Sequence, residues 1–244
     1  MYKGRKTTIE SLSLHPKASC NLKCAFCLRG DSTGIAMNLE TINNAFEGID
    51  RVHVLYIGGG EVALAINQLE AIFDIANDKK IDIRLCSVVL NGTLYTHKLE
   101  APFTKFAKTH PHFVPVFELS NDFLHRDEIE KSSHKEKYLE NIEALKSSEY
   151  YTGSRDEIGY ILREGRGETY ETTLPTHKFV PSWQPTFSIY NGENYIRRAS
   201  VSPQGFLTEH DCSYEHMETL YNYANINREG GLVAACEEYA NKKR

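Results

Sequence analysis

The chain has 244 residues, enough for one large domain with a substantial core. At 41% hydrophobic, 25% charged and 11% aromatic residues, its composition is that of an ordinary soluble globular protein. A formal net charge of −5, from 28 Lys and Arg against 33 Asp and Glu, argues against an extended nucleic-acid surface, which needs clustered positive charge to displace counterions from phosphates.

The first residues, Met1 to Thr8, lead into no apolar signal-like stretch, and no apolar run has the length to cross a bilayer. A soluble, cytoplasmic protein with no membrane partner is therefore expected. In that compartment six cysteines point to metal or redox chemistry rather than to structural disulfides. No repeat, low-complexity segment or Pro/Gly/Ser-rich linker divides the chain.

Short β-branched runs alternate with helical patterns, which predicts βα units around a parallel sheet. The first strand is expected over Ile9–His15, where Leu12 and Leu14 alternate with Ser11 and Ser13; a cysteine-rich loop follows. Leu39, Ile42, Phe46 and Ile49 recur at helical spacing. Val52–Ile57 is a second strand that stops at three glycines, and Ile66, Leu69, Ile72 and Phe73 mark the helix after it. A third strand runs through Ile81–Leu90 to the turn signature Asn91-Gly92-Thr93, and a fourth covers Phe113–Leu119. Tyr138, Ile142 and Leu145 belong to the fourth helix, and a fifth strand is expected over Ile158–Leu162. Beyond it, Thr186–Tyr190 and Tyr195–Val201 read as strands joined by Asn191-Gly192, with helices around His216–Tyr223 and Leu232–Tyr239. The fold class is thus α/β: a partial βα barrel of about five to six parallel strands, short of the eight of a closed barrel. A core over 1–185 and a C-terminal strand/helix extension over 186–244 packed on it are expected.

The strongest chemical signal is Cys20-Asn21-Leu22-Lys23-Cys24-Ala25-Phe26-Cys27. This spacing can wrap three thiolates around one face of an iron–sulfur cubane, whereas electron-transfer clusters use four cysteines. Three ligands leave one iron open to a small molecule, as chemistry at a metal requires. Structural zinc with a distant fourth ligand is the alternative, although such sites usually come as two cysteine pairs and no second C-x-x-C exists here.

The motif, with Phe26 before the last cysteine and its place after the first strand, resembles the radical S-adenosylmethionine (SAM) superfamily. The resemblance implies a [4Fe–4S] cluster on Cys20, Cys24 and Cys27, with SAM chelating the open iron. It also implies reductive cleavage of SAM to a 5′-deoxyadenosyl radical, hydrogen abstraction from substrate, and a reductant partner such as flavodoxin or ferredoxin. Gly58-Gly59-Gly60-Glu61 resembles the family's Gly-Gly-Glu motif for the SAM amino group, with Val62 where proline is frequent; otherwise the run is a strand-to-helix turn. Asn91-Gly92-Thr93 resembles the family's Thr-Asn-Gly turn, with Leu90 in place of threonine. Ser120, Asp122 and His125 fit the Ser-x-Asp and nearby His that end the fourth strand in many members; a hydroxyl and a carboxylate there can hydrogen-bond the ribose or orient the SAM carboxylate, while Ser120 and Asp122 also suit helix caps. Gly159 to Glu168 only loosely matches the adenine-side motif, being two residues too long; Arg163 and Arg166 there either face an anionic group or form a solvated loop.

Cys86, Cys212 and Cys236 are too few for a second four-cysteine cluster. Cys86 and Cys236 read as buried small hydrophobes. Cys212 is a candidate hydrogen-atom donor to a substrate radical, or a metal ligand with His210 and His216. A peptide is the first substrate expectation, with a nucleoside or small metabolite as the alternative within the family and a structural zinc module outside it.

Overall fold

The computed structural model describes residues 4–178, 187–208, 212–220 and 225–242. In chain order the strands are β1 (Thr7–Lys17), β2 (Arg51–Gly59), β3 (Asp82–Leu90), β4 (Val114–Ser120), β5 (Tyr151–Arg155), β6 (Ile161–Leu162), β7 (Thr176–His177), β8 (Phe187–Tyr190), β9 (Glu193–Val201) and β10 (Leu207–Thr208). Among the described residues, β9-β1-β2-β3-β4-β5 form six parallel strands, and β8 and β10 add antiparallel to β9. The expected partial barrel is therefore present, and residues from the far end of the chain supply one of its parallel strands.

Helices α1 (Leu39–Ala45), α2 (Ile66–Asp78) and α3 (Ala101–Ala107) follow β1, β2 and β3, while α4 (Phe123–Lys131) and α5 (Lys135–Lys146) both follow β4. The chain's last helices are α6 (Tyr214–Leu220) and α7 (Gly231–Lys242). Local chemistry sets several starts. Asn38 Oδ1 accepts from the Thr41 N–H at 2.8 Å to open α1, and Asp122 Oδ1 accepts from the Leu124 and His125 N–H groups to open α4. In α2 the buried residues Leu69, Ile72, Phe73 and Ala76 recur at the 3–4 spacing that puts them on one face. Phe73 meets the rings of Phe103, Phe106 and Phe113 at centroid distances of 4.8, 5.2 and 5.6 Å.

The core contains Leu12, Leu14, Val52, Leu55, Ile57, Ile83, Cys86, Val88 and Phe117 from the sheet. Burying a side chain of the larger aliphatic sizes stabilises by roughly 1.5–3 kcal/mol. Alternate residues Ser11, Ser13 and His15 of β1, with Tyr56 of β2 and Ser87 of β3, line a cavity instead. Cys86 and Cys236 are buried among apolar side chains, as expected.

One strand is corrected. The fifth parallel strand is Tyr151–Arg155; Ile161–Leu162 instead pairs with Thr176–His177 in a separate two-stranded sheet. The sequence Tyr-Thr-Gly-Ser-Arg carries no apolar alternation, because β5 is a sheet edge held through β4 rather than a strand packed on two faces. The Asn191-Gly192 turn joins β8 and β9 as expected, with φ of 50° and 81° at the two turn residues, as a type I′ turn requires; Thr186, expected to open the first of these strands, lies outside the described residues. No helix among the described residues is long and apolar enough to cross a membrane.

Candidate active site at the cysteine loop

Beyond β1 the chain closes a loop on itself. Lys17 and Ala36 form an isolated bridge, the Ala18 N–H donates to Ile35 O at 2.7 Å, and the Thr33 N–H to Ala18 O at 2.9 Å. Residues 19–32 thus project from the C-terminal end of β1. Within them the Cys27 N–H donates to Cys24 O at 3.1 Å and the Cys20 N–H to Ser32 Oγ at 3.1 Å. Cys20, Cys24 and Cys27 are free thiols, and all three line the cavity. Burial, then the neighbouring Cys27 and Cys20 sulfurs, push the Cys24 thiol up to about 12, and burial likewise raises Cys20. Such thiols stay protonated until a cation takes the charge, which inverts the local balance.

Gly58, Gly59, Gly60 and Glu61 at the end of β2 line the same cavity. The Gly60 N–H donates to Lys17 O at 3.1 Å and the Glu61 N–H to Ser19 O at 2.7 Å, so the glycine run is stitched to the backbone leading into Cys20. A Cβ on Gly60 would lie 1.9 Å from Ser19 O. Glu61 is buried, and its carboxylate accepts from the Asn91 N–H at 2.9 Å and the Ala63 N–H at 3.0 Å. Burial pushes it up to about 7 against the pull of those two donors.

At the end of β4, Ser120 lines the cavity and Asp122 does not. Asp122 is buried, capping α4 with one oxygen and holding His125 Nδ1 at 2.5 Å with the other. Burial alone would raise its carboxyl, but the hydrogen bond and charge of His125 with the two backbone donors hold it below the ordinary range. His125 itself lines the cavity and meets the Phe26 ring edge-on at 5.0 Å.

Residues 157–162 also line the cavity although they are not a barrel strand. Arg163 donates to the carbonyls of Gly167, Glu168 and Tyr170, at 2.6 Å for the last, and so holds its own turn. Arg166 lines the cavity, 3.6 Å from the exposed Asp31. Its backbone N–H donates to Cys27 O at 3.0 Å. Cys212 is completely buried and is not among the described residues that line the cavity; its carbonyl accepts from Arg29 at 2.8 Å. His210 and the side chain of His216 lie outside the described residues.

The cavity holds about 1140 Å³ and extends to Glu10, Arg155 and Arg198. Several of its residues escaped the sequence reading. Arg29 reaches His15 Nε2 at 3.3 Å, and Ser200 Oγ lies 3.2 Å from the same nitrogen. Arg155 pairs with Glu118 at 2.6 Å. The signal available for the barrel face was the Ser11/Ser13 alternation in β1; Arg29 and Arg155 carried none.

Among the described residues no three His, Cys, Asp or Glu side chains converge as a single-ion site. The three thiols nonetheless line one cavity, those of Cys27 and Cys20 raise that of Cys24 electrostatically, and three cysteines are the donor set of a cluster with one open iron. A parallel partial barrel with a three-cysteine loop at the C-terminal end of its first strand defines the class of protein. The radical SAM superfamily model matches residues 16–178, more than half of the chain, and the chain belongs to that superfamily. Membership of the superfamily implies a [4Fe–4S] cluster and SAM as the cofactors.

Among solved structures, the chain is similar to anSMEcpe with bound AdoMet and Cp18Cys peptide, at 22% identity and a TM-score of 0.45, covering 64% of this chain and 43% of that one. It is also similar to Streptococcus suis SuiB bound to precursor peptide SuiA, at 11% identity and a TM-score of 0.49, covering 93% of this chain and 64% of that one. SuiB bound to S-adenosylmethionine matches at 12% identity and a TM-score of 0.39, covering 82% of this chain and 60% of that one. The chain thus spans less than two thirds of the length of these structures. No curated protein matches it.

Proposed function

We propose that Cys20, Cys24 and Cys27 hold the cluster, that Gly58–Gly60 and Ser120 form the SAM seat, and that the substrate is a peptide. One observation carries the reading: a single cavity is lined by all three cysteines, the glycine run, Ser120 and the polar barrel face. When bound, the cluster and SAM supply reductive carbon–sulfur cleavage and, from it, hydrogen-atom abstraction. The chain's own residues bind and orient. Cys20, Cys24 and Cys27 would hold the cluster as thiolates. The glycine run lets backbone carbonyls approach the ligand without an intervening side chain. Ser120 offers a hydroxyl at a strand end, and Asp122 serves by fixing His125 at the cavity wall.

At about 1140 Å³ the cavity exceeds the roughly 300–1,000 Å³ common for a single small-molecule site, leaving room for a second ligand beside SAM. Its lining mixes Glu10, Arg155, Arg198, Ser11, Ser13 and Tyr56, so donors and acceptors of both signs face that room. A peptide offers both along its backbone. A hydrogen-atom donor role for Cys212 would require its buried thiol to reach a cavity that it does not line. The reductant is of the flavodoxin or ferredoxin kind.

The test is anaerobic reconstitution followed by metal and sulfide analysis, then comparison of peptides and small metabolites from cells with active and cluster-free protein. About four irons and four sulfides per chain, with a peptide altered only by the active form, is the expected result. Stoichiometric zinc would overturn the cluster assignment, and an altered nucleoside or metabolite would overturn the peptide.

A further inference from the structure

In the turn Asn91-Gly92-Thr93 after β3, the first side chain faces the cysteine loop. Asn91 Nδ2 lies 3.0 Å from Asn21 Oδ1 and 3.9 Å from Cys20 Sγ. We propose that Asn91 donates a hydrogen bond to the Cys20 sulfur and thereby raises the reduction potential of the cluster, a role that rests on the assignment of Cys20 as a ligand.

The direction of the amide is settled by its other end. Asn91 Oδ1 accepts from the Thr93 N–H at 2.9 Å and from Thr93 Oγ1 at 2.6 Å. A backbone N–H can only donate, so that end of the side chain is the oxygen, and the nitrogen faces the sulfur. The nitrogen carries two hydrogens, one for Asn21 Oδ1 and one for Cys20 Sγ.

The surroundings hold this amide in place. Asn21 Nδ2 donates to Thr93 Oγ1 at 2.6 Å, and Asn141 Nδ2 to Thr93 O at 2.6 Å. The backbone N–H of Asn91 is anchored on the buried Glu61 carboxylate at 2.9 Å. Asn91 is 8% exposed, so water competes little for its donors. Hydrogen bonds to ligand sulfurs are among the determinants of iron–sulfur potentials. A donor at sulfur stabilises the reduced, more negative cluster more than the oxidised one, so the potential rises. Asn91 is on this account a positioning residue: it acts on the cluster through Cys20.

The test uses the full chain, anaerobically reconstituted, with iron content and midpoint potential measured together by redox titration and electron paramagnetic resonance. Asn91→Ala is expected to retain its iron and to shift the midpoint to more negative values. Asn21→Ala, which leaves the Asn91 amide facing Cys20, is expected to shift it less. A loaded Asn91→Ala with an unmoved or more positive midpoint would overturn the proposal, as would an equal or larger negative shift in Asn21→Ala. Should Asn91→Ala fail to load, the Asn21→Ala protein carrying asparagine labelled with nitrogen-15 in the side chain decides the matter. A nitrogen-15 hyperfine coupling to its reduced cluster supports the hydrogen bond, and absence of the coupling overturns it. A wild-type chain that takes up no iron would overturn the ligand assignment itself, and the proposal with it.

Discussion

Two glycines hold the cysteine loop from opposite ends, and they do so in different ways. Gly60 sits where β2 meets the backbone before Cys20, and a Cβ there would lie 1.9 Å from Ser19 O. Gly165 opens a 3-10 turn (Gly165–Glu168) against the backbone after Cys27, with φ of 53° and a Cβ position 2.5 Å from Gly30 N and 2.6 Å from Leu28 O. The Cys20 end is therefore built onto the main sheet. The Cys27 end rests on a segment whose own pairing is the short β6–β7 ladder. Close approach of backbone to backbone demands glycine in both places, but only the first is braced by the core.

Replacing Cys20, Cys24 and Cys27 together with Ala removes what both glycines hold, and should abolish iron binding and SAM cleavage outright. Iron retained in full by the triple variant would break the reading, whereas Cys86→Ala should keep its iron because that thiol is core packing. Gly60→Val comes next. The sequence alone suggests loss of SAM affinity with the cluster spared, but the Ser19 contact means that the loop must move. A cost of more than about 3 kcal/mol and loss of iron are expected, checked by thermal melts and iron content. Gly165→Ala should cost about 2–4 kcal/mol from the left-handed backbone and the contact with Gly30. Because the segment lies off the main sheet, this loss should appear as reduced iron occupancy more than as a lowered melting temperature; equal loss of both would erase the contrast.

Cys212→Ala has a narrower expected effect. If the thiol donates hydrogen, deoxyadenosine continues to form while product per deoxyadenosine falls; if it is only packing, the two fall in step. Gly58→Ala should be the mildest, within about 0.5 kcal/mol, since a Cβ there meets nothing within 4 Å. A large loss of iron in that variant would show that the whole run, not Gly60 alone, braces the loop.

The contrast between the two glycines also marks where the sequence was readable. β1 to β4 appear within about two residues of their expected limits, because each carries the apolar residues that pack under the helices. Cys20, Cys24, Cys27 and Gly58–Gly60 announced themselves by local spacing. β5 did not, since its composition reflects an edge and its place depends on β4. The apolar residues of 158–162 instead suggested the fifth barrel strand, although they line the cavity and only Ile161–Leu162 form a strand, paired with β7. The packing of Gly165 on Gly30 joins residues far apart in the chain, and no local pattern encodes it. Asp122 was readable as a polar strand end, but the choice between cap and ligand lies in the α4 backbone that it caps. His125 stood next to it in the sequence, yet its place at the cavity wall follows from that cap.

The position of β1 bears on how the molecule is made. It is the first strand of the sheet, carries the cysteine loop at its end, and lies between β2 and β9. During synthesis one edge of β1 is covered early by β2, while the other waits for β9, which is made after β2, β3, β4 and β5. Until then β1 offers a bare edge to any passing strand, the exposure that favours misassociation. Until β9 is made, the cysteine loop is thus carried by a sheet that is unfinished on one side of β1.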